Sequence, residues 1–408
     1  MTLEEAHALD AAEPLAFAKT RFRLPEGVLY LDGNSLGALP AATPSALTEV
    51  AERQWGDDLV TSWNKHGWID APSRVAALLA PIVGARPSEL LIADSTSVTL
   101  FKLLAAAVQA RPGRSVILSE DGNFPTDLYV AQGLAGLLPH LSVKTVPAAD
   151  VAAAIDGDTA VVMLTHVDYR GGTVHAMAAI NAAAHAAGAL NLWDLSHSAG
   201  ALALDLAGAG CDLAVGCGYK YLNGGPGAPA FLFVAQALQA ELGSPLSGWM
   251  GHADPFAFEP GHRPAAGIAR FLTGTPSILA IAALEAGLRT FDGIAMADVE
   301  AKSRALSQMY IDEVERRCGD HLRLASPRDP ALRGSHVVFA HPHAYAVMQA
   351  LIERGVIGDF RTPDLIRFGF APLYTRFAEV WRAADILADI VATRSWDQPR
   401  FREQSRVT

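Results

Sequence analysis

A lysine set between two tyrosines, Tyr219-Lys220-Tyr221, and followed by Leu222-Asn223-Gly224-Gly225-Pro226-Gly227, carries the most chemical information in this 408-residue chain. An amine in a dry pocket sheds its proton and attacks an aldehyde carbon, so Lys220 is a candidate Schiff-base former. Asp194 lies 26 positions earlier at the end of an apolar run, and His197 follows three residues after it. A carboxylate in that place can keep a pyridine nitrogen protonated, which makes such a ring an electron sink. His197 would then hydrogen-bond the carboxylate or stack near the ring. Judged alone, Asp194 is as readily the N-cap of a helix, and Lys220 a surface lysine. Together they are harder to dismiss, because two tyrosines and an Asn-Gly-Gly-Pro-Gly run make a poor solvated face and a good tight loop.

Two further stretches fit the same chemistry. Asp94-Ser95-Thr96-Ser97 places hydroxyls where an apolar run gives way to a helical pattern. Free N–H groups and the dipole at a helix N-terminus bind phosphate, and Thr96 and Ser97 add donors. An ordinary Ser/Thr cap would look the same. In Asn123-Phe124-Pro125-Thr126-Asp127, Phe124 could stack on a flat heteroaromatic ring and Asp127 fix a polar edge. A turn with a capping Asp is the equal alternative.

These residues need a scaffold, and the chain's rhythm supplies one. Short apolar runs predict strands at Leu90–Ala93, Ser115–Ser119, Ser142–Val146, Ala160–His166, Ala189–Asp194, Asp212–Cys217 and Pro229–Val234. Ala-rich helical patterns such as Thr99–Ala110 and Met177–Ala187 lie between them. This alternation predicts an α/β fold with a mostly parallel central sheet and right-handed crossovers. Ligands of such sheets sit beyond the carboxyl ends of the strands, where Asp194 and Lys220 would converge. After about residue 295 the pattern becomes α+β. A charged helix at Val299–Cys318 leads to short strands at Ser335–Ala340 and Leu365–Phe370, then a helix at Phe377–Thr393. We expect a large domain at 46–295, a smaller one at 296–408, and a segment 1–45 packing with the smaller domain. The polar tail after Trp396 is expected to fray.

Bulk composition excludes several classes. A net charge of −11 with no basic run argues against nucleic acid and anionic membrane as partners. No apolar run approaches the roughly 20 residues of a membrane span. The N-terminus, Met1-Thr2-Leu3-Glu4-Glu5-Ala6-His7, lacks the basic and apolar regions of a secretory signal. Three cysteines, Cys211, Cys217 and Cys318, form no C-x-x-C pair, which argues against a disulfide framework or a metal site and favours the cytoplasm.

With these pieces assembled, nearly the whole chain resembles the fold-type I pyridoxal-phosphate enzymes, and within them the kynureninase family. The matching stretches are Tyr30–Gly37, Ala93–Val98, Phe124–Asp127, Trp193–Gly200, Tyr219–Gly227, Gly248–His252, Ile366-Arg367 and Ala371–Tyr374. The resemblance implies a large domain built on the parallel sheet, a smaller α+β domain, and a homodimer with shared active sites. It implies pyridoxal 5'-phosphate as cofactor and hydrolysis of L-kynurenine to anthranilate and L-alanine, with 3-hydroxykynurenine a related substrate. By the same resemblance Lys220 is the Schiff-base lysine, Asp194 the pyridinium partner and His197 its neighbour. Phe124 stacks on the ring, Thr165 lies over it, and Asp127 is a further contact. Thr96 and Ser97 are phosphate ligands; Tyr219 bonds the phosphate and is the candidate proton donor. Trp249 and Thr275 reach the cofactor from the other subunit, and Arg367 binds the substrate α-carboxylate. Two departures stand out: Thr99 where relatives often carry Asn, and Met250 after the Trp where others carry Phe, near the aniline ring. Trp63 could line the pocket, but a buried structural residue is the preferred reading. The rivals are a cysteine desulfurase of the same class, which needs a mobile catalytic cysteine, and a non-catalytic binding protein on the same fold.

Overall fold

The computed structural model describes residues 1–403, and seven of its strands pair into one sheet. In chain order they are β1 (Leu90–Ala93), β2 (Val116–Glu120), β3 (Ser142–Val146), β4 (Thr159–Thr165), β5 (Leu190–Asp194), β6 (Leu213–Gly216) and β7 (Ala230–Val234). Their order across the sheet is β1-β7-β6-β5-β4-β2-β3. Every residue of β4, β5, β6 and β7 is buried, and apart from Asn191 and polar residues at strand ends these runs are apolar, as expected of strands covered on both faces. The edge strand β3 is half polar and largely solvent-facing.

The run at Pro229–Val234 predicts a strand, and the structure adds its direction. Strands β2 to β6 pair in parallel, whereas β7 is antiparallel to both β6 and β1. Ala230 at the start of β7 therefore faces Ala93 at the end of β1. The loop between Gly216 and Ala230, which carries Lys220, never leaves the edge where the parallel strands end. The helix after β1 begins three residues before the expected Thr99 and spans Thr96–Gln109. Ser95 is extended (φ −102°, ψ 163°) and takes the cap position, so Thr96 and Ser97 fall in the first turn, where N–H groups lack intrahelical acceptors. Leu90–Ala93, Ser142–Val146 and Phe377–Thr393 have the expected bounds, and the other boundaries differ by at most three residues.

Beyond residue 295 a four-stranded antiparallel sheet forms from Arg323–Leu324, His336–Ala340, Leu365–Gly369 and Asp359–Arg361, in that spatial order. Helices Met296–Cys318, Ala344–Glu353 and Phe377–Thr393 share a hydrophobic core with it. The helix Leu3–Ala12, started by a Thr2/Glu5 capping box, packs against Phe377–Thr393. Its Asp10 carboxylate accepts from the N–H groups of Phe377 (2.7 Å) and Ala378 (3.1 Å), which caps that helix through tertiary contact. Leu29–Tyr30 then pairs in parallel with Val356–Ile357. Farther on, the Gly37 N–H donates to the Tyr219 carbonyl at 2.8 Å. Past Trp396, Pro399–Phe401 forms a short 3-10 turn; the last part of the expected fraying tail lies outside the described residues. Among the described residues no helix is long and apolar enough to cross a membrane, and no group of three or more His, Cys, Asp or Glu side chains could hold a metal ion.

Candidate active site

The parallel strands deliver two polar side chains at their carboxyl ends. Asp194 closes β5 and is 4 % exposed. Its Oδ1 accepts from the Ser196 N–H (2.8 Å) and hydroxyl (2.6 Å), while the Ser196 Oγ accepts from the Cys217 N–H (3.2 Å). Ser196 thus ties the turn after β5 to the start of the lysine loop. Thr165 closes β4 beside it, and its hydroxyl donates to Asp127 Oδ2 at 3.5 Å and, by a short bond, to Asn123 Oδ1.

Lys220 reaches this group from its loop. Its Nζ is 3.1 Å from His197 Nε2, 6.0 Å from the centre of the Phe124 ring and 5.8 Å from that of Tyr219. Burial, reinforced by the positive surroundings of Lys220 and Arg367, pushes the His197 pKa well down, so the imidazole is neutral. Burial raises the Asp127 carboxyl well above its usual range; the charge on Asp194 adds to this and Lys220 opposes it. Asp194 is likewise raised by burial and drawn back by Lys220. Two buried carboxylates sharing one amine favour any additional cation set between them. Burial also raises the Tyr219 phenol, which keeps its proton.

Phe124 is held by two residues with roles that spacing did not suggest. Asn123 accepts from the Phe124 N–H (2.7 Å) and donates to Ser119 Oγ (2.9 Å), which donates to the Met163 carbonyl (2.7 Å). All of this lies at the ends of β2 and β4. Only a fold that places those strands side by side could reveal it.

Next to this cluster, and lined in part by Tyr219, opens a cavity of about 660 Å³. Asp94, Ser95, Thr96, Tyr219 and Thr275 are among its lining residues; Ser97, half-buried in the same helical turn, is not. Thr275, which the resemblance assigns to the partner's site, lines the cavity of its own chain. The Thr99 hydroxyl turns back to the carbonyls of Ser95 (3.2 Å) and Thr96 (3.0 Å) and offers nothing to the cavity.

Arg367 is 1 % exposed, on the strand Leu365–Gly369. Its Nε donates to Asp359 Oδ1 (2.8 Å), Nη2 to Asp359 Oδ2 by a short bond and to Ser35 Oγ (3.1 Å), and Nη1 to the Tyr169 carbonyl (2.5 Å). The Tyr169 ring meets Phe124 edge-on at 5.2 Å, and His336, one strand over, lies 5.5 Å from His197. Arg367 therefore flanks the lysine cluster. Sequence reasoning missed Asp359 and Ser35, since three distant segments meet there.

Trp249 is not brought to the cluster. It is 37 % exposed and packs edge-on against Phe256 at 5.7 Å. Met250 beside it is buried. Trp63 is half-buried rather than buried, edge-on to Trp68 at 5.8 Å, because its helix is a single turn on the surface. Cys211, Cys217 and Cys318 are all free and buried. Burial raises the Cys211 thiol and takes Cys318 up to about 11.

This donor set fits a planar heteroaromatic aldehyde bearing an anionic group. Lys220 supplies the amine, Phe124 a ring face, Asp194 and Asp127 carboxylates for a ring cation, and Thr96 a hydroxyl at a helix N-terminus. His197 also keeps Nδ1 buried without a partner among the described residues.

Comparisons with known proteins agree with this. A family profile described as the kynureninase C-terminal domain matches residues 299–387. A kynureninase of Pseudomonas fluorescens is 50% identical over 414 residues, covering 100% of both chains. A kynureninase of Burkholderia mallei (strain SAVP1) is 51% identical over 415 residues, again covering 100% of both. Among solved structures, the apo cysteine desulfurase of Thermococcus onnurineus NA1 is similar in fold, with TM-score 0.79 at 20% identity over 93% of this chain and 98% of that one. A variant of C-DES, a cystine C–S lyase, with glycine covalently linked to its PLP cofactor, gives TM-score 0.80 at 19% identity over 91% and 99%.

Proposed function

The chain belongs to the kynureninase family, and from that premise we propose that it hydrolyses the Cβ–Cγ bond of L-kynurenine with pyridoxal 5'-phosphate as cofactor. Water is consumed; anthranilate and L-alanine leave. The same chemistry extends to 3-hydroxykynurenine. The observation that carries this reading is the cluster of Lys220, His197, Asp194, Asp127, Thr165 and Phe124 at the carboxyl edge of the sheet, flanked by buried Arg367.

When bound, the cofactor supplies an electron sink for the pairs released at the substrate's Cα and Cβ. Lys220 would hold the aldehyde group through its amine, and the same amine is placed to move the substrate's Cα proton. Asp194 would hold the ring nitrogen protonated, with His197 as its neighbour, and Asp127 and Thr165 would be further contacts of the ring. Phe124, braced by Asn123, would offer its face to the ring. Thr96, Ser97 and Tyr219 would hold the phosphate. Arg367, oriented by Asp359, would bind the substrate α-carboxylate as a cation. Tyr219, whose phenol keeps its proton, donates to Cβ of the departing alanine.

We further propose a homodimer in the cytoplasm, divided into a segment 1–45, a large domain 46–295 and a small domain 296–408. Trp249 and Thr275 reach the partner's cofactor in that assembly. Trp249 carries Phe256 beside it, 61 % exposed, and Phe258, 75 % exposed, as expected of a face that a second copy covers. The desulfurase reading lacks its nucleophile, since all three cysteines are buried and none offers a mobile thiol.

The test mixes purified protein, pyridoxal phosphate and L-kynurenine and follows anthranilate fluorescence, with sulfide release from cysteine assayed in parallel. Anthranilate and alanine in equal amounts are expected. Lys220→Ala should abolish both turnover and the visible absorbance of bound cofactor; turnover that survives would sink the assignment.

A further inference from the structure

Lys102 has no part in the chemistry above, yet its side chain is fully buried. Buried lysines are rare and need acceptors in compensation. Lys102 has two. Its Nζ donates to Asp94 Oδ2 at 2.5 Å and to the Phe271 carbonyl at 2.9 Å. Both lead directly to the cavity. Asp94 lines it, followed by Ser95 and Thr96 on one wall; Leu272, Thr273 and Thr275, which follow Phe271, line another. Asp94 also occupies the left-handed region (φ 50°) while its carbonyl accepts from the Ala230 N–H at 2.9 Å. That conformation is costly for a residue with a side chain, and it persists only where surroundings enforce it.

The charges make this arrangement informative. The Asp94 side chain is 30% exposed and stands at the mouth of the phosphate cradle, where a carboxylate would repel a dianion. We propose that Lys102 is the positioning residue of that cradle. Its ammonium neutralises Asp94 from beneath and fastens the cavity's two walls together, so that the site accepts a phosphate ester. This rests on the cofactor reading given above. It assigns the selectivity for a phosphorylated over an unphosphorylated aldehyde to a side chain that does not line the cavity.

The experiment strips the cofactor from wild-type protein, Lys102→Met, Asp94→Asn and the double variant, then titrates each with pyridoxal phosphate and with pyridoxal by absorbance. Lys102→Met should weaken pyridoxal phosphate by about tenfold or more and leave pyridoxal within about twofold, because only the phosphate meets the unpaired carboxylate. Adding Asp94→Asn removes that charge and should return pyridoxal phosphate to within about threefold of wild type. A pair serving only to hold the fold would lose both ligands alike and show no recovery, and either result overturns the proposal. Should Lys102→Met not fold, Asp94→Asn alone decides. It should bind pyridoxal phosphate more tightly than wild type, and equal or weaker binding overturns the proposal. A wild-type protein that shows no spectral change with either aldehyde overturns the cofactor reading instead.

Discussion

Arg367 donates four hydrogen bonds inside the protein, two of them to Asp359 in the side-on fork geometry that fixes a guanidinium plane. Burial opposes ionisation of Asp359, but Arg367 and Arg361 together hold its carboxyl below the usual value. Asp359→Asn keeps the shape and loses the charge, so the arginine should lose its orientation. We expect KM for L-kynurenine to rise roughly tenfold and kcat to change less than about threefold, the pattern of a lost binding contact. Steady-state kinetics decide, and an equal fall in both parameters would place Asp359 elsewhere in the mechanism. Tyr219→Phe should do the opposite, slowing kcat by about tenfold or more while the cofactor absorbance stays in place. Arg367 and Tyr219 could be singled out in the sequence because they sit in recognisable stretches. Tyr169 and Asp359 could not, and Ser35, though inside the matched stretch Tyr30–Gly37, could not be tied to Arg367, because no periodicity relates these residues and only tertiary structure makes them neighbours.

Among the elements, the seven strands and their helices were readable from apolar runs and Ala-rich periodicity. The reversed direction of β7 was not, since a strand buried on both faces has the same composition whichever way it runs. Gly37 is a similar case. The stretch Tyr30–Gly37 could be matched to a family, but not explained. The structure shows a close approach: a Cβ on Gly37 would come within 2.4 Å of the Lys220 carbonyl and 2.5 Å of Asn223 Oδ1. Hydrogen at that position lets the N-terminal segment press onto the loop that carries Lys220. Gly37→Ala should therefore cost about 1–3 kcal/mol of stability and distort the loop. Chemical denaturation and cofactor absorbance would register the two effects; a variant indistinguishable from wild type in both would contradict the contact.

Across the whole molecule, segments from both ends of the chain meet at one charged cluster. Asp32 bridges to Gly369, and burial, with Asp359 nearby, lifts its carboxyl up to about 7 from an ordinary 3.8, against the pull of Arg367. The folded protein therefore keeps a proton that the unfolded chain releases, so stability falls as pH rises from about 4 to 7. His336 and His166, pushed down by burial to about 3 and 4, act the other way and lose stability as pH falls below 6.5. Comparing Asp32→Asn with wild type isolates the first effect. The melting temperature of the variant should gain on wild type by about 2 °C or more between pH 5 and pH 8, and a pH-independent gap would refute the protonation of Asp32. The pairing of β1 with β7 has a different kind of consequence, in time rather than in energy. The strand that ends at the cradle has no partner in the sheet except one encoded far downstream. A ribosome must therefore translate through Val234 before that edge can close, and a nascent polypeptide cannot capture its vitamin-derived aldehyde until most of the larger half has emerged.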